Sequence, residues 1–146
     1  NPGLHIVSIP IGRARDITLN ALDVLASADA IIAEDTREIK KLLNIYEISV
    51  KKVNLIAYHN HNAKKQIPKI LNLLKEGLSV ALVSDAGTPL ISDPAYLIVK
   101  EAAKIDISVT SAPGPSALLA ALTISGLSTD RATIPLGLNI CSVSHI

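Results

Sequence analysis

Aromatic residues are almost missing from this sequence: three Tyr, no Phe and no Trp among 146 residues, and no Met either. With hydrophobic residues at 49%, a core has to be packed from Leu, Ile, Val and Ala. Cysteine is reduced to Cys141, which excludes an internal disulfide framework and suits a reducing cytoplasm. The net charge is only +1, so no overall field draws the chain to nucleic acid or to an anionic membrane. No apolar run approaches the roughly 18 residues of a membrane span, and no signal peptide opens the chain. Without a Met, Asn1 is not an ordinary translation start, and a segment upstream is expected to have been removed or left out. The length fits one domain with a sizeable core, or the larger part of a two-domain protein.

What is present is a regular alternation. Apolar runs of strand length are Leu4–Ile9, Ala30–Ala33, Asn54–Tyr58, Ser79–Ser84 and Ile107–Ser111. Between and after them lie helical patterns at Ile17–Ala28, Thr36–Tyr46, Ala63–Glu76, Ala95–Lys104 and Ser116–Ser125. In the first of these, Ile17, Leu19, Leu22, Val24 and Leu25 recur on a roughly 3.6-residue period, a packing face. In the third, Ile67, Ile70, Leu71, Leu73 and Leu74 form the apolar set, Lys64, Lys65, Lys69 and Lys75 are available for the wet side, and Gly77 stands where a helix C-terminal cap is wanted. Strands that alternate with helices imply right-handed crossovers. The predicted fold is α/β, an open and mainly parallel five-stranded sheet with helices on both faces.

In such a sheet, ligands bind beyond the carboxyl ends of the strands. Those ends carry Pro10-Ile11-Gly12-Arg13, Glu34-Asp35-Thr36-Arg37, His59-Asn60-His61-Asn62, the long Ser84–Pro94 loop, and Ala112-Pro113-Gly114-Pro115-Ser116. The fourth connection exceeds the usual 2–6 residues and is rich in small, polar and proline residues, which marks it as a candidate site. No GxGxxG follows the first strand and there is no Walker lysine, so the common dinucleotide and triphosphate fingerprints are missing. His59 and His61 cannot both face one way if Tyr58–Asn62 stays extended, and no metal site is expected. Ser116 has no nucleophile elbow and reads as a helix N-cap, and Asp16 reads as a cap or end charge.

SDAGTPLISDP, residues 84–94, is close to the signature of bacterial ribosomal RNA small-subunit 2′-O-methyltransferases, within the tetrapyrrole-methylase superfamily. PIGRARDITLNAL resembles that family's PIG…DITLRAL start, and AEDTREIKKLL its AEDTR…KLL segment. YHNHN is similar to its YHEHN, and PGPSALLAALTISGLSTDR to its PGPSA…ALSASGLPTDR stretch. The matches run in order from about Leu4 to Arg131. They imply a tetrapyrrole-methylase-like N-terminal domain over residues 1–131, followed by a divergent tail at 132–146, with the family's second domain absent. The resemblance further implies a cytoplasmic, homodimeric enzyme without a membrane anchor. The full-length parent would use S-adenosylmethionine to methylate a cytidine ribose 2′-hydroxyl in 16S ribosomal RNA of the small subunit, and this chain by itself is expected to be an inactive or partial fragment. The alternatives are another enzyme of the superfamily, acting in a corrin or diphthamide pathway, and a non-catalytic donor-binding or dimerisation module.

Donor contacts are expected from Ser84, Asp85, Ala86, Gly87, Thr88, Pro89, Ser92 and Asp93. Gly87 admits close backbone approach, Pro89 and Pro94 stiffen the loop, and Asp85 or Asp93 favours a sulfonium cation. The resemblance adds Pro10, Pro113, Gly114 and Ser116 as further walls. For the base that removes the hydroxyl proton, Asp85, Glu34 and His59 are the candidates in that order, with Asp35 also on the rim. Arg37, Lys40 and Lys41 are candidates for holding RNA phosphates. Two departures from the family pattern bear on the site: Arg13-Ala14 for the usual Asn-Leu, and Ala95 where the signature has Gly, so that a left-handed backbone there would be strained.

Overall fold

The strand runs are apolar at nearly every position because both faces of their sheet are covered. The computed structural model describes residues 1–89, 95–128, 132–134 and 138–140. Its first unit, Asn1–Ser116, contains β1 (Gly3–Val7), α1 (Leu19–Ser27), β2 (Ala30–Ala33), α2 (Thr36–Ile45), β3 (Asn54–Ala57), α3 (Ala63–Lys75), β4 (Ser79–Leu82), α4 (Tyr96–Lys104) and β5 (Val109–Ala112). The strands are ordered β3-β2-β4-β1-β5 and every neighbouring pair is parallel. Leu4 pairs with Val80 on one side and Val109 on the other, and Ile31 lies between Leu55 and Ala81.

Successive side chains point to opposite faces. Leu4, Ile6, Ala30, Ile32, Val80 and Leu82 pack against Ile70 and Leu74 of α3 and Ile98 and Ala102 of α4. Val7, Ile31, Ala33, Ala81 and Ala112 pack against Ala21 and Leu25 of α1 and Ile39 and Leu43 of α2. The helices thus divide two and two between the faces, and the core is aliphatic throughout apart from Tyr58. A second unit, Ala117–Ile146, holds α5 (Ala117–Ile124) and the antiparallel pair β6 (Ala132–Ile134) and β7 (Leu138–Ile140).

Helix ends explain where the sequence expectations shift. α1 begins at Leu19 because the Thr18 hydroxyl oxygen accepts the Ala21 amide at 3.1 Å. Thr18, not Asp16, is therefore the cap; Asp16 closes a short 3-10 turn, Ala14–Asp16. α3 ends at the expected glycine: Gly77 has φ +78, its N–H donates to Leu74 at 3.1 Å, and the Leu78 N–H reaches back to Leu73 at 3.2 Å. α2 and α4 close by the same hydrogen-bond pattern with Glu47 (φ 58) and Asp106 (φ 55) in the glycine position. Ala95 is not strained. It caps α4 with φ −62 and is buried at 1% exposure, so this position requires no left-handed backbone.

Candidate functional site

The sheet topology opens its crevices on either side of β4. The chain leaves β1 and β2 for α1 and α2 on one face, but leaves β3 and β4 for α3 and α4 on the other. Connections therefore diverge between β4 and both of its neighbours, which is where open α/β sheets bind ligands. Two cavities occupy this rim. One, of about 570 Å³, is lined by Glu34, Asp35, Thr36, Arg37, His59, His61 and Asp85. The other, of about 260 Å³, has Ile9, Ile39, Leu42 and Ile45 as its apolar wall, with Pro10, Glu38, Ser84, Asp35 and Asp85 beside them. Asp85 and Asp35 line both. All three candidate bases, Asp85, Glu34 and His59, thus meet at the larger opening, and Pro10 and Ser84 meet at the smaller.

The loop after β4 is held by its own hydrogen bonds. The Ser84 hydroxyl donates to the carbonyls of Ala86 at 2.9 Å and Gly87 at 3.3 Å. Ile9 and Gly87 exchange a pair of backbone hydrogen bonds at 2.9 and 3.0 Å, a single antiparallel bridge between the ends of β1 and β4. Gly87 has φ +72, and a Cβ built there would lie 3.1 Å from Ile11 Cδ1 and 3.5 Å from the Pro115 carbonyl. The fold itself therefore requires glycine at this position, in addition to any approach of a ligand. Thr88 Oγ1 donates to the Pro115 carbonyl at 2.9 Å and lies 2.9 Å from Ser8 Oγ. Pro89 is fully buried. Gly114 packs on Ser8: a Cβ there would sit 3.0 Å from Ser8 Cβ. Pro113 presents its carbonyl 3.5 Å from the Thr18 hydroxyl, and Ser116 directly precedes α5. Ser92 and Asp93 lie outside the described residues.

Asp35 organises the larger opening. Its Oδ1 accepts the Arg37 amide at 2.8 Å and so caps α2. Its carboxylate also receives Arg37 Nε at 3.0 and 3.2 Å and Nη2 at 2.7 Å. These bonds from the guanidinium, and then from the amide, lower the Asp35 pKa to about 2, and the carboxylate in turn raises that of Arg37. The Asp35 N–H donates to Asp85 Oδ1 at 3.2 Å, which joins the β2 and β4 loops. Of the other candidate cations, Lys41 pairs with Glu38 at 2.6 Å, while Lys40 is exposed and forms no ion pair among the described residues.

His59 and His61 do face one pocket, against the sequence expectation, because the chain turns instead of extending. The Asn62 side chain accepts the His59 N–H at 2.9 Å and donates to the Ala57 carbonyl at 3.0 Å. The imidazole centroids are 5.9 Å apart, edge to face. His59 Nδ1 is buried without a hydrogen-bond partner among the described residues. No cluster of three His, Cys, Asp or Glu side chains able to hold a metal ion occurs among the described residues.

Sequence reasoning missed Ser8, Thr18 and Tyr46. Tyr46 donates its hydroxyl to the Ala14 carbonyl and fixes the loop after β1 against the end of α2; burial raises its pKa. Their rim contacts carry no local motif, since each reaches a residue at least 32 positions away; only Thr18 also has a local signal, as the N-cap of α1. A separate cavity of about 500 Å³ lies beside α1 and β5, lined by Asn20, Asp23, Ser27 and Thr110. There both nitrogens of His5 are already engaged, by Thr110 Oγ1 at 2.7 Å and the Asn1 carbonyl at 2.9 Å.

Among solved structures, the fold resembles uroporphyrin-III-C-methyltransferase from Thermus thermophilus, with a TM-score of 0.59 and 20% identity over 86% of this chain and 54% of that one. It also resembles a precorrin-6Y methylase from Archaeoglobus fulgidus, with a TM-score of 0.56 and 18% identity over 88% and 61%. Sequence similarity is much higher to proteins named ribosomal RNA small subunit methyltransferase I. The one from Mesorhizobium japonicum is 53% identical over 129 residues, 88% of this chain and 43% of that protein. The one from Thermotoga maritima is 51% identical over 123 residues, 84% of this chain and 54% of that protein. The chain thus spans about half the length of these curated relatives. Among the described residues no helix is long and apolar enough to cross a membrane. Residues 3–138 match the family described as Tetrapyrrole (Corrin/Porphyrin) Methylases, and with this sheet, this rim and that match over nearly its whole length, the chain belongs to that family.

Proposed function

We propose that this chain forms the strand-end rim of an S-adenosylmethionine-dependent methyltransferase that acts on a cytidine ribose 2′-hydroxyl in 16S ribosomal RNA of the small subunit. The observation that carries the reading is the shared wall: Asp85 and Asp35 border both the half-apolar cavity and the open, charged one. That arrangement suits a donor on one side and an acceptor on the other. The smaller cavity fits part of the donor, with aliphatic side chains for an adenosine and carboxylates for a sulfonium. At about 260 Å³ it falls below the roughly 300–1,000 Å³ of a complete small-molecule pocket. A second surface, from a further domain or a second copy in a homodimer, completes the enclosure.

When bound, S-adenosylmethionine supplies an activated methyl group for in-line displacement. The chain's own residues align and deprotonate. Asp85 stands first as the base: Asp35 engages its Oδ1, and no bond among the described residues engages the other oxygen. Glu34 is second and His59 third. Gly87, Ala86 and Ser84, with Thr88, Pro89, Pro10 and Pro113–Ser116, shape the donor wall. Arg37, Lys40 and Lys41 hold RNA phosphates, Arg37 with its guanidinium pre-oriented by Asp35. The setting is cytoplasmic.

The test is methyl transfer from labelled donor to undermethylated small ribosomal subunits, run against precorrin substrates and beside a donor titration. Transfer to the subunits supports the reading, and transfer to precorrins alone replaces it with a corrin-pathway enzyme. Donor binding without transfer to either leaves a non-catalytic module.

A further inference from the structure

Two hydroxyls on the rim, those of Ser8 and Thr88, join three strand ends. The Thr88 proton is committed to the Pro115 carbonyl at 2.9 Å. In the 2.9 Å contact between Thr88 Oγ1 and Ser8 Oγ, Ser8 is therefore the donor. Ser8 is 1% exposed, and its N–H is fixed on the Ala112 carbonyl at 3.1 Å. The relay Ser8, Thr88, Pro115 thus runs across the ends of β1, β4 and β5, strands adjacent in the order β4-β1-β5.

The β5 end has particular need of such a tie. Pro113 and Pro115 have no N–H, so these two residues can be anchored through the backbone only at their carbonyls. Thr88 takes one of those carbonyls. Two backbone bonds between Ile9 and Gly87 hold the β4 loop to β1, and the Thr88 hydroxyl extends that hold to the β5 segment. Contacts already close at this point, with Gly114 against Ser8 Cβ and Gly87 near the Pro115 carbonyl, leave little room for the segment to settle elsewhere.

We propose that Ser8 and Thr88 form a two-hydroxyl latch that fixes the Pro113–Ser116 segment against Gly87 and so sets the shape of the donor wall. Thr88 is then a positioning residue and not a donor contact. The link to the donor rests on the proposed function; the latch itself does not.

The test compares Thr88→Val, Thr88→Ser, Ser8→Ala and the double variant Thr88→Val/Ser8→Ala in the full chain. Circular dichroism monitors folding, amide exchange is followed at Ser8 and Gly87, and S-adenosylmethionine is titrated by NMR. Thr88→Val keeps the shape but neither hydrogen bond. It is expected to stay folded, to speed exchange at Ser8 and Gly87, whose N–H groups bond the Ala112 and Ile9 carbonyls beside the latch, about tenfold, and to weaken the donor about tenfold, equivalent to about 1.4 kcal/mol. Thr88→Ser retains the hydroxyl and stays within about twofold of wild type in both. Ser8→Ala moves in the same direction as Thr88→Val, and the double variant loses little more than Thr88→Val because the pair acts as a unit. Unchanged exchange in Thr88→Val overturns the latch, as does damage in Thr88→Ser equal to that in Thr88→Val. Changed exchange with no wild-type response to S-adenosylmethionine keeps the latch and refutes the donor-site reading instead. A wild type that binds while Thr88→Val binds equally well refutes the latch's control of the wall.

Discussion

Arg37→Gln removes the Arg37 guanidinium from the mouth of the open cavity without touching either core. The Arg37 side chain is 83% exposed and that of Asp35 28%, so the substitution changes charge more than packing. In the wild type, Nε and Nη2 hold both Asp35 oxygens at 2.7–3.2 Å. That side-chain bond is the largest cause of an Asp35 pKa of about 2 against the ordinary 3.8. The backbone bond from the residue-37 amide survives in the variant, so the Asp35 midpoint should move back toward 3.8 without reaching it. The sign follows from linkage: a carboxyl with a depressed folded-state pKa adds stability above about pH 4 and loses it as pH falls toward 2. Arg37→Gln should therefore lower stability slightly above about pH 4, the amount kept small by solvent around the exposed pair, and the difference from wild type should fade as pH falls toward 2, flattening the acid limb. Carbon-13 titration of the Asp35 carboxyl reads the midpoint directly. A wild-type midpoint near 3.8, or the same midpoint in both proteins, would refute the bidentate pair. If the guanidinium also holds one RNA phosphate, the salt dependence of RNA affinity should lose about 0.7 in log–log slope. An unchanged slope takes Arg37 off the RNA surface.

Glu47→Gly should stabilise the protein by about 0.5–1 kcal/mol, because Glu47 occupies a left-handed helix terminus at φ 58 that costs an L-residue about 1–2 kcal/mol. Thermal unfolding checks this, and a lowered midpoint counts against it. Gly114→Ala should destabilise by about 1–3 kcal/mol, since the new Cβ meets Ser8 Cβ at 3.0 Å, and donor affinity should fall with it; an unchanged melting temperature would show that the β5 loop yields freely. Asp85→Asn keeps an acceptor for the Asp35 N–H but loses the charge, so turnover should fall by about 10²–10⁴-fold with little change in donor affinity. Equal loss of donor binding would move Asp85 from base to donor contact.

The fold was legible because its signals are local. Ala30–Ala33 is a strand over the predicted residues, and Gly77 terminates α3 where the sequence places it. Boundaries slipped where a side chain competes with periodicity. Ile17 fits the apolar pattern of α1, but Thr18 captures the Ala21 amide and starts the helix after it. α4 ends at the predicted Lys104 and α2 one residue before the predicted Tyr46, although Glu47 and Asp106 stand in positions that glycine usually marks. Ala95 shows a limit of arguing from a family pattern: a glycine common at that position does not require a left-handed backbone, and this chain adopts φ −62 there.

The site was legible as a rim and not as a set of partners. Convergence of the loops at one edge follows from parallel strands, so Asp85, Glu34 and His59 could be brought together from topology alone. The pairings that give the rim its chemistry span long sequence distances: Asp35 with Asp85 across 50 residues, Ser8 with Thr88 across 80. They depend on β4 lying between β2 and β1, an order that strand patterns do not disclose. Once β4 is in the middle, its loop must contact the loops of both neighbours. Asp85 reaches toward β2 and Thr88 toward β1, only three positions apart in the chain but on opposite sides of the loop's contacts. The long polar connection after β4 therefore answers to two demands. It carries an acidic wall common to two cavities, and it ties together strand ends whose own prolines cannot donate hydrogen bonds.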